Sequence, residues 1–134
     1  MKEIRDDNYI TIQGFMRTLL GLKGNNLLVY AIIYGFSQTT HQAFTGSQAY
    51  LANWCGSTVR GIRKNLEFLV KNNYILKNDK KFNKNTFCEY SVNFELIDRL
   101  EKEKKISQAK QEIINFEEAK LYKNKVSSKT NKDN

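Results

Sequence analysis

The apolar positions change their period several times along the chain, and each change marks an element. Residues 9–12, Tyr-Ile-Thr-Ile, are aromatic and β-branched, which predicts a short strand or an extended arm. Residues 14–20 predict a short helix ending near Gly21. Gly24-Asn25-Asn26 then offers a polar cap to a helix over about 26–38, which is apolar nearly all round from Leu27 to Tyr34. A helix with no polar face belongs in the middle of a fold. Residues 38–46 are polar, contain Gly46 and predict a loop.

Two helical runs follow, separated by Gly56-Ser57. Ser47 is a good N-cap for the first, about 48–55, whose Leu51, Trp54 and Cys55 share a face. Ser57 is expected to cap the second, which runs to about Asn72. At about 100° per residue, its Val59, Ile62, Leu66, Leu69 and Val70 fall within one arc of about 100°. Ser57, Arg60, Gly61 and Lys64 lie opposite, with Arg63 at the border. Asn72-Asn73 ends the helix, and Tyr74-Ile75-Leu76 reads as a strand. Lys77 to Asn85 reads as a polar, basic loop. Cys88, Tyr90 and Val92 then alternate with polar residues, the period of a half-buried strand. Two such strands make a hairpin with a long basic tip.

Residues 95–122 predict a charged helix with an apolar series at Ile106, Ala109, Ile113 and Phe116, spaced 3-4-3 like a short coiled-coil seam. Pairing of two copies through it would make a homodimer; the alternative is that it packs on its own domain. Residues 123–134 are polar and are expected to be disordered. The organisation that results is a domain over 1–94, a helix over 95–122 as a dimerisation element, and a tail over 123–134. The fold class is mainly α with a small β-hairpin: a winged helix-turn-helix followed by a C-terminal helix.

Charge sharpens this picture. The chain carries a formal +8 over 134 residues. Residues 47–94 hold eight Lys/Arg against three Asp/Glu, whereas 95–134 hold ten against eight. The excess therefore sits on the second helix of the pair and the hairpin, which points to a polyanionic partner. In a winged helix-turn-helix, the outward face of the second helix enters the major groove of double-stranded DNA. Arg60, Arg63 and Lys64 near its start are candidate base readers, since an arginine can make two hydrogen bonds to a guanine edge. Ser47, Gln48, Ser57 and Thr58 at the helix starts are candidates for phosphate contact, as are Lys80, Lys81 and Lys84 at the hairpin tip.

Other chemistry finds little support. Cys55 and Cys88 lack metal-site spacing and read as reduced thiols of a cytoplasmic protein. His41 stands alone in a polar loop, and there is no Gly-rich phosphate loop. No catalytic residue, metal or cofactor is expected. The first residues are too acidic and polar for a signal peptide. The longest apolar run, Leu27 to Phe36, is about half the ~20 residues of a membrane span.

The stretches "YITIQGFMRTLLGLKGNNLLVYAIIYGFSQ", "FTGSQAYLANWCGSTVRGIRKNLEFLVKNNYILK" and "FCEYSVN" carry a resemblance over about residues 9–94. They resemble the N-terminal winged-helix domain of Firmicutes phage and mobile-element DNA-binding proteins, among them the replication initiator protein A group and DnaD-like replisome organisers. The resemblance implies double-stranded DNA binding, with a recognition helix over 58–72 and a wing over 77–85. Longer members add a C-terminal domain that recruits a partner, whereas here a helix and a tail follow. Repression of a promoter, a plasmid-partition adaptor, or a protein-interaction module in a replication or segregation complex therefore stand beside replication initiation.

Overall fold

The computed structural model describes residues 3–40 and 43–132, without the side chains of residues 39, 40, 82 and 126–132; His41 lies outside the described residues. The chain divides into two compact units, Met1–Ile97 and Asp98–Asn134. In the first, residues 8–13 form an arm with no strand pairing, so the arm and not the strand is realised. Helix α1, Gly14–Thr18, is closed by Arg17, whose Nη1 donates to the Leu22 carbonyl at 2.7 Å.

Helix α2, Gly24–Thr40, starts two residues earlier and ends two later than its apolar run suggests. Gly24 has φ +58°, a conformation open to glycine, and so opens the helix itself. Val29, Tyr30, Ala31, Ile32 and Ile33 are all buried, as expected for a central helix. The polar end of the helix keeps its bonds inside: the buried Ser37 hydroxyl donates back to the Ile33 carbonyl at 3.0 Å.

Helix α3, Gln48–Cys55, has the expected cap: the Tyr50 N–H donates to Ser47 Oγ at 3.1 Å. It ends at Gly56, which takes the left-handed conformation (φ +57°) and turns the chain into the next helix. Helix α4, Val59–Lys71, is capped by Thr58 and not Ser57. The Gly61 N–H donates to Thr58 Oγ1 at 3.0 Å, while the Ser57 hydroxyl reaches only the Thr58 carbonyl at 3.4 Å. Gly56 and Ser57 are consumed in closing α3, the Ser57 N–H donating to the Ala52 carbonyl, so the next hydroxyl takes the cap. Ile62, Leu66 and Leu69 are buried and pack α4 on α2 and α3. Asn65 adds a 2.8 Å hydrogen bond to Asn26 of α2.

The hairpin differs most from expectation. Strands β1, Ile75–Phe82, and β2, Asn85–Val92, pair antiparallel along their whole length, so the nine-residue loop is a ladder closed by Asn83-Lys84. Asn83 tolerates the positive φ (57°) that so short a turn demands, and a solvated ladder accepts Lys and Asn side chains. The expected loop over 38–46 also joins the sheet. Phe44 pairs with Tyr90, its N–H donating to the Tyr90 carbonyl at 2.7 Å and accepting one back at 3.0 Å. Its ring is buried, edge-on to Phe36 and stacked on Tyr50. A Cβ on Gly46 would stand 2.6 Å from that ring, which explains the glycine.

Asn93 closes the first unit: its N–H donates to the Tyr74 carbonyl (3.1 Å) and its amide to that of Asn73 (2.9 Å). Helix α5, Phe94–Lys132, begins there. Its first turn belongs to the first unit, with Ile97 buried and Phe94 against Tyr34. The second unit is the remainder of α5, and it continues through the 123–132 stretch expected to be disordered. No proline or glycine interrupts those residues, so nothing in the backbone stops the helix.

Two stability predictions test this core. Tyr30 is fully buried, and its hydroxyl has no hydrogen-bond partner among the described residues; burial, with the neighbouring Tyr34, also drives its phenol far above the ordinary range. An unsatisfied buried hydroxyl costs about 1–3 kcal/mol, so Tyr30→Phe should raise the urea midpoint. Thr58→Ala removes the α4 cap and should lower stability by about 1 kcal/mol in the same titration, with Ser57→Ala costing less.

Candidate functional site

The outward face of α4 is set by its inward one. With Ile62, Leu66 and Leu69 buried, Arg60, Arg63 and Lys64 are all exposed. The same face carries Glu67 and Lys71, both exposed, which the sequence reading of the site passed over. Lys71 was within reach of that reading: it lies seven residues from Lys64 and eleven from Arg60, near-whole numbers of helical turns.

The candidates at the helix starts serve structure as well. Ser47 and Thr58 spend an acceptor on capping, which leaves each hydroxyl proton available to a ligand. Gln48 is tied in place: its Oε1 accepts from Arg63 Nε at 3.1 Å, and it hydrogen-bonds Tyr90 on β2. That bond works against burial, which holds the Tyr90 phenol above its ordinary range. Arg63 and Gln48 therefore come together, and with Tyr90 they couple α3, α4 and the hairpin. Beside them a groove of about 430 Å³ runs between α4 and the hairpin, floored by Leu66 and Val70 and rimmed by Arg63, Lys71 and Lys77.

The hairpin lysines divide into two kinds. Lys80 Nζ lies 3.1 Å from Oε1 of Glu89, a carboxylate only 12% exposed, so its charge is largely answered within the fold. Lys77, Lys81 and Lys84 are exposed and in no ion pair among the described residues, as are Arg60, Lys64 and Lys71. The cationic surface thus has two parts: the outer face of α4 and the hairpin.

Nothing here is arranged for bond-making. The Cys88 thiol, 3.1 Å from Asp79 Oδ1, is held above the usual range by that hydrogen bond, and Cys55 is pushed up by burial. Both are poor nucleophiles in this state. Among the described residues no group of three or more His, Cys, Asp or Glu could hold a metal ion, and no helix is long and apolar enough to cross a membrane.

A tight pair of helices, α3 and α4, packed on a central helix and followed by a β-hairpin is a winged helix-turn-helix. Comparison with known families agrees: residues 20–75 match the model of a family described as a helix-turn-helix domain. That span runs from the end of α1 to the first residue of β1. No curated protein matches the chain.

The division among the hairpin lysines is testable by thermal unfolding. Lys80→Gln strands the near-buried Glu89 carboxylate and should lower the midpoint, whereas Lys81→Gln and Lys84→Gln should stay within about 0.5 kcal/mol of the parent. Equal effects at all three positions would rule the division out.

Proposed function

We propose that the protein binds double-stranded DNA sequence-specifically, with α4 in the major groove and the hairpin as a wing on the backbone. The observation that carries this is the unanswered cationic surface made by Arg60, Lys64 and Lys71 on α4 and Lys77, Lys81 and Lys84 on the hairpin. It belongs to the elements that a winged helix-turn-helix presents to DNA, and the match to a helix-turn-helix domain family supports the same reading. Arg60 and Lys64, in the first turns of α4, read base edges, and Arg63 is held by Gln48 as a positioning contact. Ser47, Ser57 and the wing lysines fix the register on phosphates. The resemblance noted above favours a mobile-element setting, with the bound site at a replication origin.

Selection from randomised duplexes, followed by affinity against salt, tests this. The expected result is an enriched motif and a log–log salt slope reflecting several phosphate contacts. No enrichment, with weak binding governed by salt alone, would overturn sequence-specific reading; a motif that maps to a promoter would move the role from initiation to repression.

On the selected site, Arg60→Ala should cost about 1–3 kcal/mol and relax preference at one position. Lys71→Gln should weaken all sequences alike and flatten the salt slope by about 1. A uniform loss for Arg60→Ala would make it a phosphate contact instead.

A further inference from the structure

The second unit carries an apolar seam that the winged domain does not explain. In α5, Ile106 (56% exposed), Ala109, Ile113 (58%) and Phe116 (71%) face solvent at 3-4-3 spacing. That spacing fixes the heptad: Ile106 and Ile113 take position a, Ala109 and Phe116 position d. The flanking e and g positions are then Asp98, Glu103, Lys105, Lys110, Glu112 and Glu117. Charges at e and g decide which helix a seam accepts. All six are exposed, and only Glu103 has an ion pair among the described residues, at 3.9 Å with Arg99.

The spacing alone suggests a second copy of the chain, but the flanks oppose it. In a parallel pair with the seam in register, each g residue meets the e residue five places on in its partner. Asp98 then meets Glu103, Lys105 meets Lys110, and Glu112 meets Glu117: every charged pair is like with like. Turning one helix round so that the four apolar layers still coincide sets Lys110 against Lys110, Glu112 against Glu112, and Glu103 against Glu117. Sliding either arrangement by a heptad brings unlike charges together, but seats Arg99 and Lys102, or Lys120 and Lys123, against the apolar positions. Apolar layers and charges are never satisfied together by a second copy.

We infer that this seam receives an amphipathic helix of a different protein, one whose flanks are basic, then acidic, then basic, the mirror of this chain's acidic, basic, acidic order. Such a helix satisfies all six flanking charges beside the full apolar seam when it lies parallel, and leaves no like pair when it lies antiparallel. Ile at both a positions favours two strands over three or four. The inference does not depend on the DNA reading, since none of these residues lies in the winged domain.

The test uses the full chain and two synthetic peptides of residues 98–125. One is unchanged. The other carries Asp98→Lys, Glu103→Lys, Lys105→Glu, Lys110→Glu, Glu112→Lys and Glu117→Lys. The exchanged peptide should bind the chain at least about tenfold more tightly than the unchanged one, and Ile113→Asp in the chain should abolish that binding. Equal binding of the two peptides, preference for the unchanged one, or binding of neither would overturn the proposal. So would a dimer of the unmodified chain in sedimentation that Ile113→Asp dissociates, since the seam would then accept its own copy. Circular dichroism of the Ile113→Asp chain establishes that its winged domain remains folded.

Discussion

The burial of Ile62, Leu66 and Leu69 against α2 and α3 determines where every other side chain of α4 points. Each contributes about 1.5–3 kcal/mol by leaving water. Turning α4 by one residue about its axis would expose part of this stripe and bring Arg63 towards the core, where an unpaired charge costs several kcal/mol. The helix has one stable orientation, and the exposure of Arg60, Lys64 and Lys71 follows from it. The cations need no interaction of their own to be held outward. The central helix α2 makes this possible: because it is apolar on nearly every side, it can receive α4, α3 and the hairpin at once.

The wing is fixed by a different set of contacts. Phe44 joins the hairpin through two backbone hydrogen bonds to Tyr90, and its ring stands on Phe36 and Tyr50. Gln48 then ties Tyr90 and Arg63 to the start of α3. The base of the hairpin is therefore registered to the recognition helix through one aromatic residue and one amide. Its far end, around Asn83-Lys84, has no such anchor and rests on the ladder alone. This division suits a reader of DNA: a positioned groove-facing helix needs a firm base, while backbone contact tolerates a compliant tip.

What could be read from the sequence follows from the range of the interactions that decide each element. Helix α3 was legible to the residue because its limits are local: a serine cap and a left-handed glycine. The inward face of α4 was legible because a five-residue apolar arc admits one orientation. The choice between Ser57 and Thr58 was not, because two adjacent hydroxyls compete and the closing of α3 decides which is free. The pairing of Phe44 with Tyr90 was invisible because it joins residues far apart in sequence through a single bridge. The wing's length was missed because Lys and Asn suit a loop and a solvated ladder alike. Of the site, the face was legible and its membership only partly so. Lys71 was overlooked although its helical spacing marked it, and the engagement of Lys80 by Glu89 needed the register of the strands.

The two units use charge in opposite ways. Residues 47–94 carry eight cations against three acids, and on the outer face of α4 and the wing most of those cations have no partner. That arrangement attracts any polyanion at long range, and its selectivity must come from a few geometrically placed donors such as Arg60. In residues 95–134 ten cations face eight acids, so the net attraction is small and information lies in their order. Ordered charges beside an apolar seam act only at contact, where like pairs reject and unlike pairs accept. A net charge can therefore bring the chain to a polymer that is uniformly charged, but only a pattern can distinguish one helix from another. The near-neutral composition of α5 is what the second task requires: an excess of either sign would draw the seam towards any oppositely charged surface and erase the discrimination that its alternating flanks provide.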